Sequence, residues 1–161
     1  MNCEIVTGYR AGAIGRIVAL HGEYYVRERG LDARFEAEVA TELGAFARAL
    51  DPQREGLWLA LAEGEIVGSI AVQAERDAAR VRWFILAPAR RGRGAGRALL
   101  ADALQHCRDR RYQQVCLWTF AGLDAARHLY QQAGFRLTEE VADCIWGPRL
   151  TRQRFDLDLT R

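Results

Sequence analysis

The stretch that most restricts the fold runs from Val81 to Phe120. It begins with VRWFILAP, an apolar run stopped by Pro88. RRGRGAGRALL follows (residues 90–100), then a helical pattern reaching about Arg110, then QVCLWTF. Apolar residues at Leu99, Leu100, Ala103, Leu104 and Cys107 fall on one helical face. QVCLWTF is almost wholly apolar, as expected of a strand covered on both faces. Strand, loop, helix and strand in that order predict a right-handed crossover joining two parallel strands. The glycines lie where the first strand hands over to the helix, a place where backbone amides converge and the helix adds partial positive charge. A phosphate or diphosphate is the natural guest.

The remaining elements flank this crossover. EIVTGY (residues 4–9) reads as a first strand. Ile17, Val18, Leu20, Tyr24 and Tyr25 mark a helix from about Gly15 to Arg29, with Gly30 as its stop. Phe35, Val39, Leu43, Phe46 and Leu50 mark a second helix from Ala33 to Leu50, ended by Asp51-Pro52. GLWLALAEGEIVGSIAV reads as a hairpin turning at Glu63-Gly64. A short helix from Asp124 to Gln132 precedes Gly134, and two last strands fall near Phe135–Val141 and Arg154–Leu159. The order is β-α-α-β-β-β-α-β-α-β-β in a single domain, residues 1–161, with no repeat or linker.

Charge narrows the ligand classes. All 23 basic residues are arginine and the formal net charge is only +2, which gives no global case for nucleic-acid binding. No apolar run approaches the roughly 20 residues that span a bilayer, and the first ten residues lack the order of a signal peptide, so the chain reads as cytoplasmic. Cys3, Cys107, Cys116 and Cys144 are scattered without metal-ligand spacing, and no metal is expected.

The loop lacks the Gly-Lys-Ser/Thr of an ATP-type phosphate loop, and its glycines miss the G-x-G-x-x-G dinucleotide fingerprint. It does fit R-x-x-G-x-G, as Arg91-Gly92-Arg93-Gly94-Ala95-Gly96. About 30 residues on, LDAARHLYQQAGFRL fits A-x-x-LY-x-x-x-GF. With the element order, these motifs resemble the GNAT superfamily of N-acetyltransferases. The chain is especially similar to the acetyltransferase domain fused behind MarR-type regulators in some bacteria, here expected in free-standing form.

The resemblance implies an α/β (α+β) fold with a mixed sheet of six to seven strands flanked by four helices. It also implies transfer of an acetyl group from acetyl-CoA directly to the primary amine of a small molecule, amino acid or peptide. A bulge in the strand before the loop is expected to splay two parallel strands apart. Phe84, Ile85 and Leu86 would present backbone groups to the pantetheine arm. Arg91, Gly92, Arg93, Gly94, Ala95, Gly96 and Arg97 would hold the diphosphate, with Leu123 and Ala126 along the cofactor. Leu123 stands where many relatives carry asparagine. Tyr130, the tyrosine of the second motif, would protonate the departing thiolate. Tyr24, Tyr25, Trp118 and Trp146, with Trp83, are the candidates for the acceptor pocket. His21, Glu23 and Asp143 are the candidate bases, with none singled out; Cys116, inside an apolar strand, is not read as a nucleophile. The resemblance leaves a homodimer open. The alternative reading is a non-catalytic acyl-CoA-binding or sensing module.

Overall fold

The computed structural model describes residues 2–161. The chain runs β1 (Glu4–Thr7), α1 (Ala13–His21), a π-helical segment (Gly22–Glu28), α2 (Ala33–Ala49), β2 (Gly56–Ala62), β3 (Glu65–Glu75) and β4 (Ala78–Leu86). A 3-10 turn (Pro88–Arg90), α3 (Ala95–Asp109), β5 (Gln114–Phe120), α4 (Asp124–Gln132), β6 (Arg136–Asp143) and β7 (Leu150–Asp158) complete it. The strands form one seven-stranded sheet in the order β1-β2-β3-β4-β5-β7-β6. Only β4 and β5 pair in parallel. The expected element order and the mixed sheet are both present.

Apolar residues cover each face of the sheet. One core joins α3 to the strands through Leu99, Leu104, Val72, Val115 and Phe155. The other joins α1 and α2 through Ile17, Leu43, Phe46, Leu59 and Trp83. The Asp32 side chain caps α2 by accepting from the Arg34 amide at 2.9 Å, satisfying one of the free donors of the first turn.

Several elements differ from the sequence expectation. β3 and β4 reach farther, to Glu75 and back to Ala78, because Arg76-Asp77 closes a hairpin with Arg76 in the left-handed region (φ 56°). That turn carries no glycine to announce it. β7 starts at Leu150 rather than Arg154. The first helix widens into π geometry at Gly22, where α2 approaches so closely that a Cβ would lie 2.2 Å from the Glu36 carboxylate.

Two features open the sheet. First, Ser69 faces Ile85 and Ala71 faces Arg82, so Trp83 and Phe84 share one partner position and β4 bulges there. Trp83 adopts φ 45°, and the buried Ser69 hydroxyl donates to its carbonyl at 2.7 Å, holding the kink. Secondly, the β4–β5 ladder spans only Ala78–Arg80 against Gln114–Cys116. Beyond that point the two strands separate, while each stays paired to its outer neighbour. The sheet therefore holds a wedge-shaped gap edged by backbone groups of the C-terminal halves of β4 and β5.

Candidate active site

A cavity of about 660 Å³ occupies the side of the gap facing α3 and α4. Phe84, Ile85 and Leu86 form one wall, the glycine loop another, and Gly122, Leu123, Ala126 and Tyr130 a third. Gly92 (φ 73°) and Gly94 (φ 88°) take left-handed conformations that most side chains resist. Gly94 caps α3 with no side chain accepting from its first amides and no acidic residue in its first turn. The first intrahelical bond runs from Ala98 N–H to the Gly94 carbonyl, which leaves the amides of Ala95, Gly96 and Arg97 free of helix partners. At the end of β5, α4 also begins without a side-chain cap, its first bond running from Arg127 N–H to the Leu123 carbonyl, but here Asp124 stands in the first turn and on the cavity wall. Two helix N-termini thus meet one cavity, whose wall also holds Arg29, Arg91 and Arg97. Both features favour an anion there.

The arginines divide their work. Arg91 donates from Nε to the Leu86 carbonyl at 3.1 Å and lays its guanidinium over the Tyr24 ring, 4.2 Å from the centroid. It thereby ties the π-helical segment to the loop. Arg97 bonds Gln132 at 3.2 Å. Arg93 is exposed and outside the cavity wall, and the Ala95 methyl turns into the core, so that residue offers its amide alone.

A second cavity, about 420 Å³, opens on the α2 side of the gap. Its wall includes His21, Phe35, Glu38, Glu42, Arg80, Arg82, Trp118, Trp146 and Arg152. The two cavities share Tyr25, Phe84, Thr119 and Tyr130. Of the aromatic residues expected at an acceptor pocket, Trp118 and Trp146 line this second cavity and Tyr25 stands at the junction. Trp83 reaches its edge but is mostly buried against Phe46 at 5.1 Å. Tyr24 requires correction: it lines the first cavity and not the second, with the Arg91 guanidinium over its ring.

Tyr130 is buried among Phe84, Phe135 and Phe155, with ring centroids 6.1, 6.1 and 5.9 Å away. Burial, reinforced by Tyr25, raises its phenol well above the ordinary value. Tyr25 is pushed up to about 12, mainly by burial. Both stay protonated across the physiological range, so each is a proton donor by default.

Among the candidate bases, Glu23 pairs with Arg16 at 3.6 Å and Asp143 binds Arg152 at 2.6 Å; neither lines a cavity. His21 does. Its Nδ1 lies 2.8 Å from the Ile17 carbonyl and so carries the proton, and burial lowers the ring from 6.5 to about 4. A lowered value means that the unfolded chain binds this proton more tightly, so stability is lost as pH falls through the window from 6.5 to about 4. Replacing His21 by Asn is expected to remove about 3 kcal/mol of that acid sensitivity, read by urea unfolding at pH 7 and pH 4.

Sequence reasoning missed Glu38, Glu42, Arg80, Arg82 and Arg152. One signal was present: two arginines alternate along β4, a strand paired on both sides.

The profile of the Acetyltransferase (GNAT) family matches residues 32–135. The chain is 26% identical over 138 residues to the N-acetylaspartate synthetase of Danio rerio, a match covering 84% of this chain and 49% of that protein. It is 34% identical over 109 residues to the uncharacterized N-acetyltransferase YycN of Bacillus subtilis, covering 65% and 69%. Among solved structures, yncA of Salmonella typhimurium, a putative acetyltransferase with its cofactor acetyl-CoA, superposes with a TM-score of 0.79 at 17% identity. That match covers 99% of this chain and 95% of the other. The splayed parallel strands and the uncapped loop thus belong to an acyl-CoA acyltransferase fold. The chain is a member of the GNAT acetyltransferase family, whose co-substrate is acetyl-CoA. It spans half or less of the length of several curated relatives, 49%, 29% and 43% for three of them.

Proposed function

We propose that this chain is an acetyl-CoA-dependent N-acetyltransferase acting through a ternary complex. The observation that carries the reading is the junction of the cavities: Tyr130 stands on the wall that both share, beside the gap between β4 and β5. The diphosphate rests on the free amides at the start of α3, with Gly92 and Gly94 shaping the turn and Arg91 bracing it. The pantetheine arm runs along Phe84–Leu86, and the backbone of Gly122 and Leu123 stands in for the asparagine found in many relatives. The thioester then lies at the junction, and the acceptor enters from the α2 side.

In the reaction, the amine nitrogen attacks the thioester carbonyl, a C–N bond forms and the C–S bond breaks. The sulfur leaves as thiolate and takes a proton from Tyr130, the nitrogen loses one to solvent, and Tyr130 regains its proton from solvent, so the donor is restored. A thiol titrates near 8.5, so at neutral pH protonation favours departure. A sensing module needs only the first cavity; the joined second one favours catalysis. The four cysteines are unpaired, which suits a reducing, cytoplasmic setting.

Thiol release from acetyl-CoA, followed across a panel of amines, amino acids and peptides, tests the assignment. Release that requires an amine is expected. Tight acetyl-CoA binding without transfer to any member would leave the sensor reading instead.

A further inference from the structure

The acceptor cavity contains three guanidinium groups, and two are already matched. Arg82 pairs with Glu42, bonds Gln73 at 3.0 Å and stacks on Trp83, 4.3 Å from the ring centroid. Arg152 binds Asp143 through Nε and Nη2 at 2.9 and 2.6 Å, and lies over Trp118 and Trp146. Arg80 is different. Its one carboxylate contact is Glu75 at 3.4 Å, long and half-exposed, and its Nε is buried without any hydrogen-bond partner. Among the described residues it is the only buried side-chain nitrogen or oxygen left in that condition. Leaving a buried N–H donor without a partner is costly, and such atoms are rare in folded proteins.

The position of Arg80 gives the vacancy a purpose. It occupies the last rung of the β4–β5 ladder, opposite Cys116, at the vertex of the wedge. Phe84 and the Tyr130 junction lie four residues farther along β4, or about 13 Å at strand rise before allowing for the bulge. The arginine side chain shortens that span by several ångströms. Across the cavity, Glu38 on α2 accepts from Trp146 Nε1 at 2.7 Å and has no cationic partner among the described residues. The cavity wall therefore carries a guanidinium whose one carboxylate contact is the long pair with Glu75, and a carboxylate on α2 without a cationic partner among the described residues.

We propose that the acceptor is a zwitterion: a primary amine whose molecule also carries a carboxylate, set several bonds from the nitrogen and bound by Arg80. This rests on the transferase reading and narrows its substrate class. A guanidinium takes a carboxylate through paired N–H donors, and Arg80 on the cavity wall is held only by the long Glu75 contact. The Glu38 carboxylate attracts the ammonium before it loses its proton. A plain alkylamine gains nothing from Arg80 and binds less well.

Equilibrium binding and turnover together test this. The probes are L-aspartate against L-asparagine, and dipeptides with free amino termini as C-terminal acids against their amides. Calorimetry with the CoA-loaded protein is expected to show at least tenfold tighter binding of the acid in one of the two series, and thiol release the same preference in KM. The series that responds shows whether the carboxylate is a side chain or a chain terminus. Arg80→Gln should bring the acid-to-amide ratio toward one, and Arg80→Lys should keep part of it, with urea unfolding verifying that both variants fold. Equal binding of acid and amide in both series, or a ratio unchanged by Arg80→Gln, overturns the proposal. A binding preference without thiol release upholds the carboxylate site and sinks the transferase reading; release without preference does the reverse.

Discussion

Replacing Tyr130 by phenylalanine is expected to lower kcat by roughly 10²- to 10⁴-fold, the range for losing a positioned general acid. The Kd for acetyl-CoA should change little. The ring stays in place because Phe84, Phe135 and Phe155 hold it and none depends on the hydroxyl. What disappears is the proton at the cavity junction. The wild-type phenol is held protonated by burial, so Tyr130 ionisation should take nothing from kcat up to pH 9. The variant should instead gain rate with thiols of lower pKa, which leave without help. Steady-state kinetics with acetyl-CoA and a pre-steady-state trace of thiol release check both points. A variant with wild-type kcat would remove Tyr130 from the chemistry.

Substituting Gly68 by alanine is expected to produce the largest structural effect. Gly68 faces Leu86 across the β3–β4 ladder, and a Cβ there would lie 2.8 Å from the Ile85 carbonyl and 2.5 Å from Leu86 Cδ1. The Leu86 methyl can rotate away, but the carbonyl moves only if β4 moves. Overpacking of this kind costs about 1–3 kcal/mol. The strand displaced is the one assigned to the pantetheine arm, so acetyl-CoA affinity should fall about tenfold in the same variant. Urea unfolding and calorimetry read the two losses separately. Lost stability with intact affinity would detach the end of β4 from cofactor binding.

What the sequence disclosed was local. The loop, α3, α4 and Tyr130 are legible because their determinants are neighbours in the chain: two left-handed glycines before a helix, and a tyrosine seven residues after Leu123. The second cavity is not local. Glu38 and Glu42 come from α2, Arg80 and Arg82 from β4, and Arg152 from β7, and only the sheet order brings them together. Two smaller misses have similar causes. The β3–β4 turn uses Arg76, which paid its left-handed strain without the usual glycine, so both strand ends passed as loop. The π turn begins at Gly22, where α2 packs closely, a tertiary contact that helical periodicity does not register.

The bulge at Trp83 was implied by family resemblance, and its support is particular to the fold. Ser69 is buried on β3, and its hydroxyl fixes the Trp83 carbonyl. A serine within an apolar strand gave no hint of that partner.

The central claim is that acetyl-CoA threads the gap between β4 and β5 with its diphosphate on the start of α3. A crystal structure with acetyl-CoA bound tests it most directly. The account predicts diphosphate oxygens about 3 Å from the amides of Gly96 and Arg97, and the thioester sulfur within hydrogen-bonding reach of the Tyr130 hydroxyl. A diphosphate seated away from those amides, or a sulfur pointing away from Tyr130, would contradict it.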